Sequence, residues 1–392
     1  MKAGVSIVIP SWNGLDLLKR FLPSVIAAAT HYSKESLAPT EIIIVDDGSS
    51  DGTASWLAEE GFLEARDSEA GSLPIASEAA PDLTSKANLA TVSAPFRKLL
   101  KNETNRGFGE TCNRGFEAAR HALVFLLNND VEVALDSIAP LVENFADAMA
   151  FSAHCNVYEF ESGRQCGTGK LGSFSRGFIR VHRSYIALRA GRDNLANGRE
   201  EWPGIEQLFS MFASGGSAMF DRKKFLDIGG FEKLLNPFYW EDVEISYRAW
   251  KRGYSVFYEP RSVVRHRVSS TLRKISRAVV RRAQQRNRLI YHWINLHDSR
   301  MMTSHIFWVI LLTLTAPFRF QFGYLLAVFS ALKRLPEIRR RRRQEKRLSK
   351  RSDRALFDIF RTLAERKDVF AYDNTDELRR FTDKTTTVLT RD

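Results

Sequence analysis

Two adjacent carboxylates, Asp46 and Asp47, end a short apolar run and could hydrogen-bond a nucleotide base and ribose or face a metal. The run, IIIV at residues 42–45, is β-branched throughout, which is typical of a strand buried on both faces of a parallel sheet. Ligands of open α/β sheets bind beyond the carboxyl ends of the strands. Neighbouring carboxylates also repel each other unless a ligand or a donor offsets their charge. A third acid, Asp51, instead suits the start of a helix at residues 53–60.

A second candidate site, Asn128-Asn129-Asp130, follows another apolar run. A carboxylate at the end of a strand, beside a nucleotide site, can hold a divalent cation that neutralises a diphosphate. Oxygen donors of this kind suit Mg²⁺ or Mn²⁺. The same three residues also make an ordinary turn, so this motif alone does not distinguish a metal site from a turn.

Two further candidates lie in the second half of the chain. Glu241 and Asp242 follow Trp240 in FYWEDVEISYR, and an acid pair flanked by aromatic residues can supply a general base of adjusted pKa. The pair also suits the first turn of a helix, where the helix dipole favours carboxylates. His266 ends a strand-like run, VVRH, and either holds a metal or a phosphate or is a structural histidine.

The elements that carry these residues alternate between strand and helix over residues 1–150. Apolar patterns predict strands at residues 5–9, 41–45, 96–100 and 123–127, and helices at residues 15–29, 53–60 and 109–121. This order predicts an α/β fold with a doubly wound, mostly parallel sheet. Residues 64–94 interrupt the pattern, and we interpret them as a surface insertion.

Composition indicates a globular chain with an uneven charge. Of its 392 residues, 44% are hydrophobic and 27% are charged, which is enough for a sizeable core. The net charge is +12, but residues 261–351 carry 23 Lys and Arg against three acids, so the rest of the chain is acidic. Three cysteines without metal spacing favour a reducing compartment, and the first apolar run is too short for a signal peptide.

Several segments, taken in order along the chain, resemble one enzyme family. They are VSIVIPSWNG, IIIVDDGSSDGT, NRGFGETCNRG, FLLNNDVEV, GGF, FYWEDVEISYR and the late His266. Over residues 4–270 the chain resembles the inverting family-two glycosyltransferases with the GT-A fold, notably the rhamnosyltransferase-like members that build bacterial surface polysaccharides. The resemblance implies a Rossmann-like, nucleotide-sugar-binding half at residues 1–150 and an acceptor-binding, catalytic half at residues 151–272.

The same resemblance implies roles for individual residues. The residues of the nucleotide-sugar site would be Pro10, Ser11, Asn13, Asp46, Asp47, Asn105, Gly107, Asn113, Asn129 and Asp130. Asp242 would be the catalytic base, with Glu241 beside it. Asp130 and His266 would hold the Mg²⁺ or Mn²⁺ ion. The DxD motif of the family is here Asn-Asn-Asp, so Asn128 supplies no carboxylate to the metal.

The implied reaction is a single displacement at the anomeric carbon of a nucleoside-diphosphate sugar. Asp242 would take the proton of an acceptor hydroxyl, which attacks opposite the diphosphate. The acceptor would be a lipid-linked saccharide or a surface polysaccharide. Arg273 or Lys274, in the loop after His266, would help to stabilise the charge on the leaving diphosphate.

Residues 273–352 are basic and apolar, and we expect them to form a helical, membrane-associating region. Their apolar part, residues 303–332, is interrupted by Pro317, Arg319 and Gln321. A span needs about 20 uninterrupted apolar residues, so the pattern favours an interfacial or re-entrant hairpin. Alternatively, this part packs on the protein's own core.

The basic run at residues 333–351 would face anionic headgroups. Together with the apolar part, it predicts a peripheral or re-entrant protein at the cytoplasmic face of the inner membrane. The run would otherwise be solvated or bind RNA. Residues 353–392 are expected to be a polar tail with one amphipathic helix.

Three other functions remain open. A polyprenyl-phosphate glycosyltransferase would use a lipid phosphate as acceptor, but the acids at residues 241–242 favour a hydroxyl acceptor. A nucleic-acid-binding protein could use the arginines at residues 339–343, yet the acidic body offers no basic platform, so we expect no nucleic-acid partner. An inactive scaffold of the same fold is disfavoured by the intact set of acids.

Overall fold

The structure is a computed structural model that describes residues 3–65, 94–188, 207–267, 276–374 and 376–378. The predicted insertion at residues 64–94 lies almost wholly outside the described residues, as do Arg273 and Lys274. Within the described part, strands and helices alternate over most of residues 5–143, as the apolar pattern predicts for residues 1–150.

The helices and strands have the following bounds. The strands are β1 (Val5–Ser11), β2 (Thr40–Asp46), β3 (Leu63–Glu64), β4 (Phe96–Lys101), β5 (Leu123–Leu127), β6 (Val131–Val133), β7 (Ala150–Glu159), β8 (Gln165–Gly167), β9 (Gly169–Lys170), β10 (Ser173–Ser175), β11 (Phe178–Arg180), β12 (Ser184–Ala187), β13 (Ser217–Asp221), β14 (Ser255–His266) and β15 (Val369–Tyr372). The α-helices are α1 (Leu15–Ser36), α2 (Thr53–Glu59), α3 (Phe108–Ala118), α4 (Ile138–Glu143), α5 (Arg222–Asp227), α6 (Glu241–Lys251), α7 (Arg277–Asn295), α8 (Ser299–Thr315), α9 (Phe322–Leu332), α10 (Leu335–Leu348) and α11 (Asp353–Ala364).

The main sheet joins ten of the described strands in the order β3-β4-β2-β1-β5-β13-β7-β14-β6, with β8 paired to β7. Strands β4, β2, β1 and β5 are parallel neighbours. Alternate residues of β2 enter different cores, because Ile42 and Ile44 face one side of the sheet and Ile43 and Val45 face the other. Helices cover both faces, which explains why this run contains no polar residue.

The second half of the sheet is mixed. Strand β13 is antiparallel to both β5 and β7, whereas β14 is parallel to β7. At its end β14 turns to pair with β6, which aligns His266 with Val131. Because β6 starts directly after Asp130, this pairing brings the end of β14 beside the end of β5. Two smaller sheets, β10-β11 and β15-β12-β9, complete the described strands.

The C-terminal helices pack on the body of the protein. Helices α9 and α10 both contact α7, and α11 and β15 join α6 and β12. Buried ion pairs hold this arrangement: Lys251 Nζ lies 2.5 Å from Asp353 Oδ1, and Arg252 binds Glu345 at 2.9 Å. The predicted C-terminal tail therefore contributes to the fold through α11 and β15. Among the described residues, every helix is too short or too polar to cross a bilayer.

Candidate active site

The carboxyl ends of β1, β2 and β5 meet at one edge of the sheet and border a cavity of about 650 Å³. The register pairs Ser11 with Asp46, so Pro10 and Ser11 end level with the acids at the end of β2. Most of the predicted site residues line this cavity: Pro10, Ser11, Asp47, Asn105, Gly107, Asn129, Asp130, Glu241, Asp242 and His266. Three predicted nucleotide contacts, Asn13, Asp46 and Asn113, are not among its lining residues.

Asp47 anchors the loop that passes over the cavity. Its Oδ1 accepts hydrogen bonds from Asn102 Nδ2 at 2.7 Å and from the Arg106 backbone N–H at 2.8 Å. Its Oδ2 accepts the Gly107 N–H at 3.1 Å. Gly107 has φ +86°, and a Cβ there would lie 3.1 Å from the Pro237 carbonyl oxygen, so only glycine suits this position. These donors thus offset the charge of Asp47, and the same hydrogen bonds hold the loop at residues 105–107 in place.

Asp46 and Asn13 organise the turn behind the cavity. Asp46 is buried, accepts the Ser49 N–H at 3.3 Å, and has its pKa raised chiefly by burial. Asn13 Oδ1 accepts the Ser50 N–H at 2.8 Å, and the Asn13 N–H donates to Ser49 Oγ. Asp51 accepts the Thr53 N–H at 3.2 Å just before α2, although the N-cap residue of this helix is Gly52 and not Asp51. Contact of Asp46 and Asn13 with a nucleotide stays a prediction.

Asn113 of α3 joins two distant segments. Its side chain accepts the Phe231 N–H at 2.8 Å and donates to the Phe231 carbonyl at 3.0 Å. Gly230, with φ +62°, leaves room for the amide, since a Cβ would lie 2.5 Å from Asn113 Oδ1. These contacts fasten the turn that leads towards residues 237–242 onto α3.

Asp130 and His266 lie in direct contact at the end of β5. Asp130 Oδ1 is 2.9 Å from His266 Nε2, and the carboxylate is almost fully buried. Asn129 points its amide back to Ser11 Oγ at 2.9 Å. Across the described residues, three or more His, Cys, Asp or Glu side chains do not gather anywhere as a metal site would require. The protein donors here are therefore one carboxylate and one imidazole.

A strained turn positions the second acid pair. Tyr239 and Trp240 both have left-handed backbones, with φ of 72° and 78°, which bulky residues rarely adopt. Asn287 of α7 stabilises this turn by donating its amide to the carbonyls of Phe238, at 2.9 Å, and Tyr239, at 3.0 Å. Helix α6 begins at the next residue, Glu241, and its first turn faces the cavity.

Glu241 and Asp242 have different environments. Burial, and then the charge of Asp242, raises the pKa of Glu241 to about 8. Burial also raises the pKa of Asp242, but its oxygens accept the N–H groups of Val243 at 2.8 Å and Gly215 at 3.4 Å. Donors of this kind favour the charged form. Glu241 is therefore the member of the pair that keeps its proton near neutral pH. Both side chains line the cavity wall and keep some exposed surface there.

The sequence interpretation missed part of the cavity wall. Trp12, Phe108, Phe238 and Tyr239 supply aromatic surface, and the turn at residues 214–216 closes one side. A signal for that turn was present in SGGS, because a Cβ on Gly216 would lie 2.6 Å from the amide of Asn128. Asn287 lies on a helix far along the chain, and nothing local predicts its contact with the turn.

Two family models match parts of the chain. Residues 6–61 and 82–229 match the model described as glycosyl transferase family 2. Residues 205–336 match a second model, glycosyl transferase family group 2. No curated protein matches the sequence significantly.

Three similar solved structures have low identity to the chain. GalNAc-T7 with UDP, GalNAc and Mn²⁺ is 18% identical, with a TM-score of 0.49, over 76% of this chain and 49% of that one. The mannosyltransferase PcManGT from Pyrobaculum calidifontis, with GDP-Man and Mn²⁺, is 15% identical (TM-score 0.46; 94% and 82% covered). S. aureus TarS 1-349 with UDP-GlcNAc is 13% identical (TM-score 0.48; 93% and 91% covered). The chain spans about half of GalNAc-T7. Likenesses of this size say nothing about substrate or metal.

Proposed function

Because the chain belongs to glycosyl transferase family 2, we propose that it is an inverting enzyme that moves a sugar from a nucleoside-diphosphate sugar to a hydroxyl of a lipid-linked saccharide. One observation carries the proposal: Asp242 and Glu241 line the same cavity as the loop anchored by Asp47 and as Asp130. A base, a proton donor and a candidate cation site therefore border one space that is open to two substrates.

The nucleotide occupies the end of the cavity formed by β1, β2 and the loop at residues 105–107. Pro10 and Ser11 border it from β1, while Asn105 and Gly107 cover it. Trp12 and Phe108 offer aromatic surface to the base, for which stacking is favourable. Asp46, Asn13 and Asn113 do not contact the nucleotide but hold in place the loops that border it. The diphosphate extends towards Asp130.

Asp242 acts as the general base. Its carboxylate accepts the proton of the acceptor hydroxyl while that oxygen forms a bond to the anomeric carbon. The bond from this carbon to the diphosphate oxygen breaks, and the nucleoside diphosphate leaves with the electron pair. Attack opposite the leaving group inverts the configuration at the anomeric carbon. The raised pKa of Asp242 makes it a stronger base than an exposed carboxylate.

Glu241 acts as a proton-bearing neighbour of the base. With a pKa of about 8 it stays protonated near neutral pH and can donate a hydrogen bond to a sugar oxygen. Glu241 Oε2 is buried and has no hydrogen-bond partner among the described residues, which fits a carboxyl group that is held neutral. Holding the sugar there fixes the angle at which the hydroxyl approaches.

Asp130 and His266 fit a Mg²⁺ or Mn²⁺ ion. A carboxylate and an imidazole whose donor atoms lie 2.9 Å apart would hold such a cation next to a bound diphosphate. Such an ion supplies charge neutralisation for the leaving diphosphate. Asn128 adds no charge, so the cation depends on Asp130 more than it would in a site with two carboxylates.

The experiment is a panel of nucleotide sugars, each with Mn²⁺ and a saccharide acceptor, that measures the nucleoside diphosphate released by the wild type and by Asp242→Asn. We expect the variant to bind the donor normally and to turn over about 10²–10⁴-fold more slowly. Asp227→Asn is the matched control, because Asp227 pairs with Lys223 at the surface. Near-normal turnover of Asp242→Asn would remove Asp242 from this role. Turnover with a polyprenyl phosphate in place of the saccharide would show that the acceptor is a lipid phosphate and not a hydroxyl.

A further inference from the structure

Helices α8 and α9 expose apolar residues at helical spacing. On α8 the exposed face consists of Ile306, Phe307, Ile310, Leu311 and Leu314, which are 37–66% exposed. These positions lie on one side of the helix, whereas His305 and Val309 are buried against the body. A surface helix of a soluble domain normally turns a polar face outward. Here the outward face is apolar.

The segment between the two helices extends this surface. Phe318 is 86% exposed and Phe320 is 84% exposed, and Phe322 opens α9 at 56%. Leu326 and Phe329 continue the exposed side of α9, while its other side packs on α7. Residues 306–332, which we name the apolar hairpin, thus expose apolar side chains along both helices and the turn between them, with Arg319 and Gln321 as exposed polar side chains of that turn. Patches of this extent usually mark an interaction site.

Charges around the apolar hairpin are mostly positive, with Glu337 in the first turn of α10 as an exposed exception. Residues 299–336 contain no acid. Helix α10, which follows directly, exposes five basic side chains on its outward side: Arg339, Arg340, Arg343, Lys346 and Arg347. Its inward side is used internally, since Arg341 pairs with Glu232 at 2.6 Å and Arg342 donates to the Leu296 carbonyl at 2.6 Å. The basic run is therefore divided, and only its outward half is available to a partner.

We infer that the apolar hairpin inserts into one leaflet of an anionic bilayer, with the outward face of α10 against the headgroups. An anionic bilayer matches both features, because it offers hydrocarbon beside negative charge. Helix α8 has 17 residues and none of the described helices can cross a bilayer, so insertion stops within one leaflet. A second copy of the chain docked on the same face would bring like charges together.

Insertion of the apolar hairpin also fixes where the cavity lies relative to the bilayer. Val279 of α7 lines the cavity, and α9 and α10 pack on the same helix. The cavity mouth and the membrane-facing surface therefore share α7. If the proposed function holds, on which this step rests, the enzyme takes acceptors that are presented at the bilayer surface. The insertion itself does not depend on sugar transfer.

The test is flotation of the full-length protein with two kinds of vesicle. One is phosphatidylcholine alone, and the other is two parts phosphatidylcholine to one part phosphatidylglycerol. The wild type should float with the mixed vesicles and weakly with the neutral ones. The triple variant Phe318→Gln, Phe320→Gln, Phe322→Gln should bind about tenfold or more weakly. Its control replaces three other exposed apolar residues, Leu63, Leu135 and Met149, with Gln, and should bind like the wild type.

A charge variant measures the contribution of the basic residues of α10 separately from that of the apolar hairpin. Arg339→Gln, Arg340→Gln, Arg343→Gln should lose most of the preference for mixed vesicles, by about 10²-fold for three charges. Flotation of the Phe variant at the wild-type level would overturn the inference. So would a wild type that never floats but forms a dimer that the Phe variant abolishes.

Turnover with a water-soluble saccharide is measured on the same proteins. The Phe variant should keep it, because its substitutions lie outside the cavity. A wild type that turns over but never floats would overturn the insertion and leave the proposed function standing. A wild type that floats but releases no nucleoside diphosphate with any donor would overturn the proposed function and leave the insertion standing.

Discussion

The Asp130 carboxylate and the His266 imidazole lie 2.9 Å apart at the rim of the cavity. Each ends or follows a strand of the same sheet, and the pairing of β14 with β6 brings them together. Both residues line the cavity, with 7% of the Asp130 side chain and 25% of the His266 side chain exposed.

Asp130→Asn should weaken the effect of Mn²⁺ on diphosphate binding. The variant keeps the shape of the side chain but removes its charge, so Mn²⁺ should no longer strengthen binding of UDP or GDP to the same extent. We expect a loss of about 10-fold or more in the Mn²⁺-dependent affinity, measured by calorimetry. His266→Ala should also weaken the Mn²⁺-dependent affinity for UDP or GDP. Glu161→Gln, an exposed acid paired with Arg267, is the control and should change nothing.

The pH profile of turnover should be bell-shaped. As pH rises, Asp242 ionises with a pKa that burial raises above its ordinary value, and kcat/KM rises. Above about pH 8 Glu241 loses its proton, the donor to the sugar is lost, and kcat/KM falls. Glu241→Gln keeps a neutral donor, so its alkaline limb should disappear. An unchanged alkaline limb in Glu241→Gln would contradict the assignment.

Asn287→Ala should lower kcat more than it raises KM. Without the amide, the carbonyls of Phe238 and Tyr239 lose their donor and the strained turn before Glu241 relaxes. Misplacing the base in this way can cost up to about 10²-fold in kcat. Donor affinity, measured by calorimetry, should stay within the wild-type range. The control is Arg281→Ala on the exposed side of the same helix. A proportionate loss of donor affinity would mean a general folding defect instead of positioning.

Asp353→Asn should destabilise the whole fold. Asp353 accepts hydrogen bonds from Tyr247 Oη, Lys251 Nζ and the His297 N–H within the protein interior. Neutralising it leaves Lys251 buried without its partner, which should cost about 3–5 kcal/mol of unfolding free energy.

Urea unfolding measures that cost. The control is Asp358→Asn, which breaks an exposed pair with Arg361 and should cost about 0–1 kcal/mol. Equal midpoints for Asp353→Asn and Asp358→Asn would show that the buried pair does not hold the C-terminal helices.

Much of the fold of residues 5–133 was predictable from local pattern. The runs at residues 42–45 and in β5 are apolar on every residue, and only a strand covered on both faces tolerates that. Parallel neighbours end at the same edge, so Asp47, Asn129 and Asp130 had to lie close together. The break between α8 and α9 was also predictable, because Pro317 cannot continue a helix and starts a short 3₁₀ turn.

Contacts between distant segments could not be predicted from the local sequence pattern. Which of Asp46 and Asp47 faces the cavity depends on the twist of one turn, and the loop anchored by Asp47 arrives from residues 105–107. Likewise, Arg341 and Arg342 face inward because α10 packs on the body, although the sequence presents them as part of one basic run. Strand and helix periods follow from each residue and its near neighbours, whereas burial of a particular side chain depends on which remote surface packs against it.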